Sequence, residues 1–64
     1  MKNFATKLKE LREQYNVSQK EIADHLGVTR SAYSNYEQGT REPSLDIFQK
    51  ICQFYEIHAE HFWE

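Results

Sequence analysis

Five side chains near the middle of the chain, Arg30, Ser31, Ser34, Asn35 and Gln38, can all take part in hydrogen bonds, yet carry one formal charge among them. If the segment is a helix, their spacing gathers them on one side, while Thr29, Tyr33, Tyr36 and Glu37 fall on the other. A face of short polar groups with no large apolar side chain fits two descriptions. It is an ordinary solvated helix face, or it meets base-pair edges in a major groove, where each pair presents its own donor and acceptor pattern. In the second case Arg30 suits a bidentate contact to guanine and Asn35 one to adenine. The face alone does not choose between them. The elements that carry it do.

Those elements read as helices throughout, with no strand-like alternation and no repeat. Phe4, Leu8, Leu11 and Tyr15 recur at helical spacing and predict a first amphipathic helix over residues 3–15. Ser18 followed three residues later by Glu21 is a capping box, opening a second helix that buries Ile22, Ala23 and Leu26. Gly27 suits the left-handed turn that stops it. Thr29 then caps a third helix running to Gln38, which Gly39 terminates. Pro43 and Ser44 start a fourth, with Leu45, Phe48, Ile51, Cys52 and Tyr55 as its apolar face. Ile57 and Phe62 predict a short fifth helix from about Ala59, both filling the core. Only Gly27 and Val28 separate the second helix from the cap of the third, so the two must cross steeply, as helix-turn-helix units do.

Other chemistries find little support. His58 and His61 are three apart, with Cys52 or His25 as conceivable neighbours, but zinc sites need four ligands at recognisable spacings. The histidines are read as surface residues and Cys52 as a small core residue, so no metal and no cofactor is expected. Gly27 and Gly39 are the only glycines and both end helices, which leaves no phosphate-binding glycine loop. No nucleophile triad or paired carboxylate is recognisable, and a chain this short leaves little room for a substrate pocket. The chain is not expected to be an enzyme.

With 64 residues, 39% of them hydrophobic and 14% aromatic, residues 1–64 are expected to form a single domain near the lower size limit for one apolar core. One cysteine excludes an internal disulfide and fits a reducing cytoplasm. No apolar run approaches the ~18 residues of a membrane span, and the charged start of the chain is no signal peptide. Net charge is −2, whereas a nucleic-acid-binding domain is usually basic. Its distribution is uneven. Residues 1–41 hold seven basic groups against five acidic ones, and residues 42–64 hold Lys50 alone against five acidic ones, Glu64 included. Such a dipolar chain can present its N-terminal portion to phosphates.

From Gln19 to Gly39 the sequence resembles the helix-turn-helix family of Cro and phage repressors, the XRE-like group. Ala23 stands where that family needs a small residue, Gly27 holds the turn, and Ile22, Leu26 and Val28 hold the shared core. The likeness continues through Leu11-Arg12, Pro43-Ser44-Leu45, Ile57 and Phe62. Tyr33 and Tyr36 depart from it by standing where aliphatic residues are commoner, and His58 by standing where Ser or Thr would cap better. The resemblance implies an all-α, compact five-helix lambda-repressor-like domain. It also implies a sequence-specific regulator of transcription, a repressor, that binds double-stranded operator DNA and reads the major groove with the third helix through Arg30, Ser31, Ser34 and Asn35.

Phosphates are expected at the N-terminus of the second helix, where unpaired N–H groups and the positive dipole end join Ser18, Gln19 and Lys20. The resemblance has Gln19 touch the backbone or brace Arg30, and places Gln38, Thr40 and Arg41 against neighbouring phosphates. It also makes Arg12 and Glu37 a partly buried, structural ion pair between the first and third helices. A helix reads only a few base pairs, so a homodimer is expected, with Phe54 and Trp63 as interface candidates near the C-terminus. The acidic, aromatic C-terminal part suits an alternative, a protein-interaction module of the same fold, antitoxin-like or an adaptor.

Overall fold

A computed structural model describes residues 3–63; Lys2 and Glu64, counted among the charges above, lie outside them. Four α-helices follow in order, α1 (Phe4–Gln14), α2 (Gln19–Leu26), α3 (Arg30–Gln38) and α4 (Leu45–Tyr55), then a 3-10 helix (Ala59–Trp63). No strand occurs among the described residues.

Local chemistry sets most boundaries. Ser18 Oγ accepts from the Glu21 N–H at 3.0 Å while Glu21 Oε1 accepts from the Ser18 N–H at 3.1 Å, so both halves of the capping box form. Thr29 and Ser44 cap α3 and α4 in the same manner, accepting from Ala32 and Ile47. Gly27 ends α2 at φ +76°, and a Cβ there would meet nothing within 4 Å, so the backbone angle is the reason for glycine. Asn3 and Tyr15, expected inside the first helix, are its caps instead.

The core gathers one stripe from each helix: Phe4, Leu8 and Leu11 from α1, Ile22, Ala23 and Leu26 from α2, Tyr33 and Tyr36 from α3, and Phe48, Ile51 and Tyr55 from α4. The 3-10 helix closes it with Phe62, whose ring lies 4.9 Å from Phe4 and 5.6 Å from Phe48. Ile57 and Cys52 pack against this cluster half-buried. α3 is wedged between α1 and α2. The two tyrosines that depart from the family pattern fit there, Tyr33 fully buried and Tyr36 edge-on to it at 6.0 Å.

Two expectations need correction. Leu45 has the helical spacing of the α4 stripe yet is 72% exposed, because it is the first residue of the helix and the 3-10 segment seats on Phe48, one turn further on. Tyr15, past the end of α1, is half exposed; its ring meets Tyr55 edge-on at 5.0 Å and its hydroxyl donates to the Tyr55 carbonyl at 3.5 Å. The predicted fifth helix is present as a single 3-10 stretch, which suits its five residues better than an α-helix with its unpaired ends.

Candidate nucleic-acid interface

Glu37 fixes the orientation of α3. Its side chain is 4% exposed, so it needs donors, and three elements supply them. Arg12 of α1 approaches side-on, Nε donating to Oε2 at 2.6 Å and Nη2 to Oε1 at 3.3 Å, while its Nη1 donates to the Val17 carbonyl at 2.9 Å. The Tyr33 hydroxyl, one turn back on α3, donates to Oε2 at 2.6 Å, and the Gln19 amide of α2 donates to Oε1 at 3.1 Å. Burial alone would push the Glu37 carboxyl up. The bonds from Arg12, Tyr33 and Gln19 outweigh it and hold the carboxyl below its usual range. The bond to Glu37 raises Arg12, and burial followed by the same carboxylate raises Tyr33. The expected Arg12–Glu37 pair therefore forms, and the structure adds Tyr33 and Gln19 to it.

With its inner side held this way, α3 turns Arg30, Ser31 and Gln38 fully outward and leaves Ser34 and Asn35 half-buried beside them. Among the described residues Arg30 and Ser31 make no side-chain hydrogen bond, whereas the other two are each held by a neighbour. Ser34 Oγ accepts from the Gln38 amide at 3.1 Å, and Asn35 Oδ1 accepts from the Thr40 hydroxyl at 3.2 Å. A shallow depression of about 230 Å³ joins Gln19, Arg30, Ser31 and Ser34.

A larger open groove, about 710 Å³, runs between α1, α2 and α3, with Lys9, Arg12, Lys20 and Arg30 among its lining. Ser18, Gln19, Ser34 and Gln38 line it as well, which brings most of the expected phosphate-contacting residues beside the base-facing ones. Lys9 was not singled out in the sequence. Its one available signal is its position one helical turn before Arg12, on the same side of α1. Lys20 pairs with Asp24 across one turn at 2.9 Å, an exposed contact of small energetic weight. Gln19 does not brace Arg30; its amide is directed to Glu37. Thr40 and Arg41 are exposed in the loop after α3.

The C-terminal aromatics separate. Trp63 is 62% exposed with its ring edge-on to Phe48 at 5.8 Å, so its aromatic neighbour is Phe48. Phe54 is half-buried and packs against His25 at 4.7 Å and Tyr55 at 4.9 Å. No group of three or more metal-ligating side chains occurs among the described residues, and none of their helices is long and apolar enough to cross a membrane.

Comparison with known proteins agrees with this geometry. The helix-turn-helix family profile matches residues 8–62. The cryptic phage CTXphi transcriptional repressor RstR of Vibrio cholerae is 35% identical over 54 residues, covering 84% of this chain and 49% of that protein. The uncharacterized HTH-type transcriptional regulator YgzD of Bacillus subtilis is 39% identical across 98% of this chain and 92% of its own length. The SPbeta prophage-derived uncharacterized HTH-type transcriptional regulator YonR, from the same organism, is 42% identical over 57 residues, 89% of this chain and 53% of YonR. The chain thus spans about half the length of RstR and YonR and nearly all of YgzD. Four helices in this order, a three-residue turn between α2 and α3, and a match over residues 8–62 make the chain a member of the Cro and phage-repressor type of helix-turn-helix family.

Proposed function

We propose that this chain binds double-stranded operator DNA sequence-specifically and regulates transcription as a repressor in the cytoplasm, acting by occupancy and without catalysis. One observation carries the reading: the outward polar face of α3 borders a groove lined by Lys9, Lys20 and Arg30. The cations and the N-terminus of α2 meet phosphates, while Arg30, Ser31, Ser34 and Asn35 meet base edges in the major groove. A net charge of −2 does not oppose this, because the groove gathers cations locally and residues 42–64 hold five of the ten acidic groups with Lys50 as their one basic group.

Selection from a randomised duplex library, followed by binding at several salt concentrations, tests the assignment. Arg30→Ala should lower affinity for the selected site by ~1–3 kcal/mol and flatten the choice at one base pair. Arg41→Ala and Lys9→Ala should weaken all sequences alike and make the salt dependence shallower by about one counterion each. An Arg30→Ala protein with unchanged base preference refutes the assignment of the face.

The protein works as a homodimer on a near-palindrome with half-sites about 34 Å apart. Trp63, exposed and edge-on to Phe48, and Leu45, exposed at the start of α4, offer apolar surface for the two-fold contact, while Phe54 is half-buried against His25. Sedimentation of the wild type and of Trp63→Ala, with and without a palindromic duplex, checks it; a wild type that stays monomeric on the duplex refutes it.

A further inference from the structure

The four cations around the groove are held differently. Arg12 is committed to the buried Glu37, while Lys9 and Arg30 form no ion pair among the described residues. Lys20 is held by an exposed carboxylate, its Nζ lying 2.9 Å from Asp24 Oδ2. Asp24 stands one turn further along α2 and does not line the groove. Helix stability does not account for this pair. A helix favours anions in its first turn and cations in its last, yet the lysine is the second residue of α2 and the aspartate lies in its final turn. A basic residue four places before an acidic one is also the weaker order for such a pair. The position of Lys20 instead suits a cation that joins the unpaired N–H groups of the helix end in drawing an external anion. Asp24 opposes that draw.

We propose that Asp24 is an affinity-setting residue that acts through Lys20, competing with DNA phosphate for its ammonium. The ammonium has three N–H groups, so Asp24 does not block a second contact. A phosphate arriving at Lys20 nevertheless meets a carboxylate beside it, and either the pair loosens or the two anions repel. In both cases Lys20 contributes less than an unpaired lysine would. Phosphates are alike on every sequence, so the effect falls on affinity and not on base choice. Both side chains are largely exposed, so the pair is weak and is screened as salt rises. The inference rests on the DNA-binding reading and gives a role to Asp24, which lies outside the polar face of α3 and outside the groove.

The test measures binding of the wild type, Asp24→Asn, Asp24→Glu, Lys20→Gln and the Asp24→Asn/Lys20→Gln double variant to the selected operator and to a random-sequence duplex, at several salt concentrations. Asp24→Asn should bind both duplexes about two- to fivefold more tightly at low salt, the range spanned by an exposed ion pair. Its salt dependence should be steeper by up to about one counterion. Asp24→Glu keeps the charge and should match the wild type. With Lys20 already changed to Gln, Asp24→Asn should leave affinity nearly unchanged. A gain of equal size in both backgrounds makes Asp24 a general repeller of DNA and overturns the proposal, as does an unchanged affinity in the Asp24→Asn single variant. Thermal unfolding without DNA verifies the fold of each variant; a melting temperature lowered by Asp24→Asn with no gain in affinity makes the pair a structural contact and also overturns it. A wild type that binds neither duplex overturns the DNA-binding reading itself, an outcome distinct from these.

Discussion

Removing Arg12 or Glu37 should destabilise the fold by similar amounts, and the Glu37 carboxyl makes the loss at Arg12 depend on pH. Glu37→Ala strands a guanidinium that keeps the Val17 carbonyl, and leaves the buried Tyr33 hydroxyl and the Gln19 amide without their acceptor. Breaking one side of a buried pair costs ~3–5 kcal/mol; because the Arg12 side chain is still 16% exposed, about 3 kcal/mol is expected. At ~0.05–0.15 kcal/mol per residue a 64-residue domain holds only about 3–10 kcal/mol, so the loss brings it near the unfolding threshold. In the wild type the Glu37 carboxyl is depressed on folding. Its contribution is therefore fully present above the unfolded value of about 4.3 and lost as pH falls through the lower folded value. Arg12→Ala leaves burial, the largest influence on this carboxyl, opposed only by Tyr33 and Gln19. Losing the largest of the influences that lower this carboxyl raises its folded value relative to the wild type, so the stability added by the ionised carboxylate shrinks. The gap between wild type and Arg12→Ala should widen from about pH 4 to about pH 7. Urea unfolding of both single variants and the double variant, at both pH values, measures this, with the double no worse than either single. Additive losses, or a gap independent of pH, would refute the reasoning.

Two further stability changes follow from single side chains. The Tyr55 hydroxyl is buried without a hydrogen-bond partner among the described residues, and burial pushes its pKa up to about 12. Tyr55→Phe should therefore raise stability by up to ~1 kcal/mol in urea unfolding, and a loss of that size would show that the hydroxyl is bonded. Glu56 ends α4 in the left-handed region at φ 55°, which costs a non-glycine residue ~1–2 kcal/mol. After the greater unfolded-state freedom of glycine is subtracted, Glu56→Gly should raise stability by about 0.5–1 kcal/mol in the same assay. No gain would mean that the Glu56 side chain offsets its own strain.

Features that depend on neighbours along the chain are legible before any packing is considered. The caps Ser18, Thr29 and Ser44 act on N–H groups three residues ahead, and Gly27 and Gly39 supply a left-handed turn at a helix end. The inward stripes, including Tyr33 and Tyr36, follow from a period of 3.6 residues. The polar face of α3 was legible for the same reason. Which groups from different helices meet depends on how the helices pack. Periodicity placed Leu45 on the stripe of α4, but nothing in that helix tells how far the 3-10 segment reaches along it. It could not tell that Phe54 would pack against His25, or that Lys9 of α1 would join Lys20 and Arg30 around one groove. The partners of Glu37 show the division most clearly. Arg12 came from the family likeness, yet Tyr33 and Gln19 converge on the same carboxylate because α1, α2 and α3 meet there, a condition that no spacing within one helix encodes.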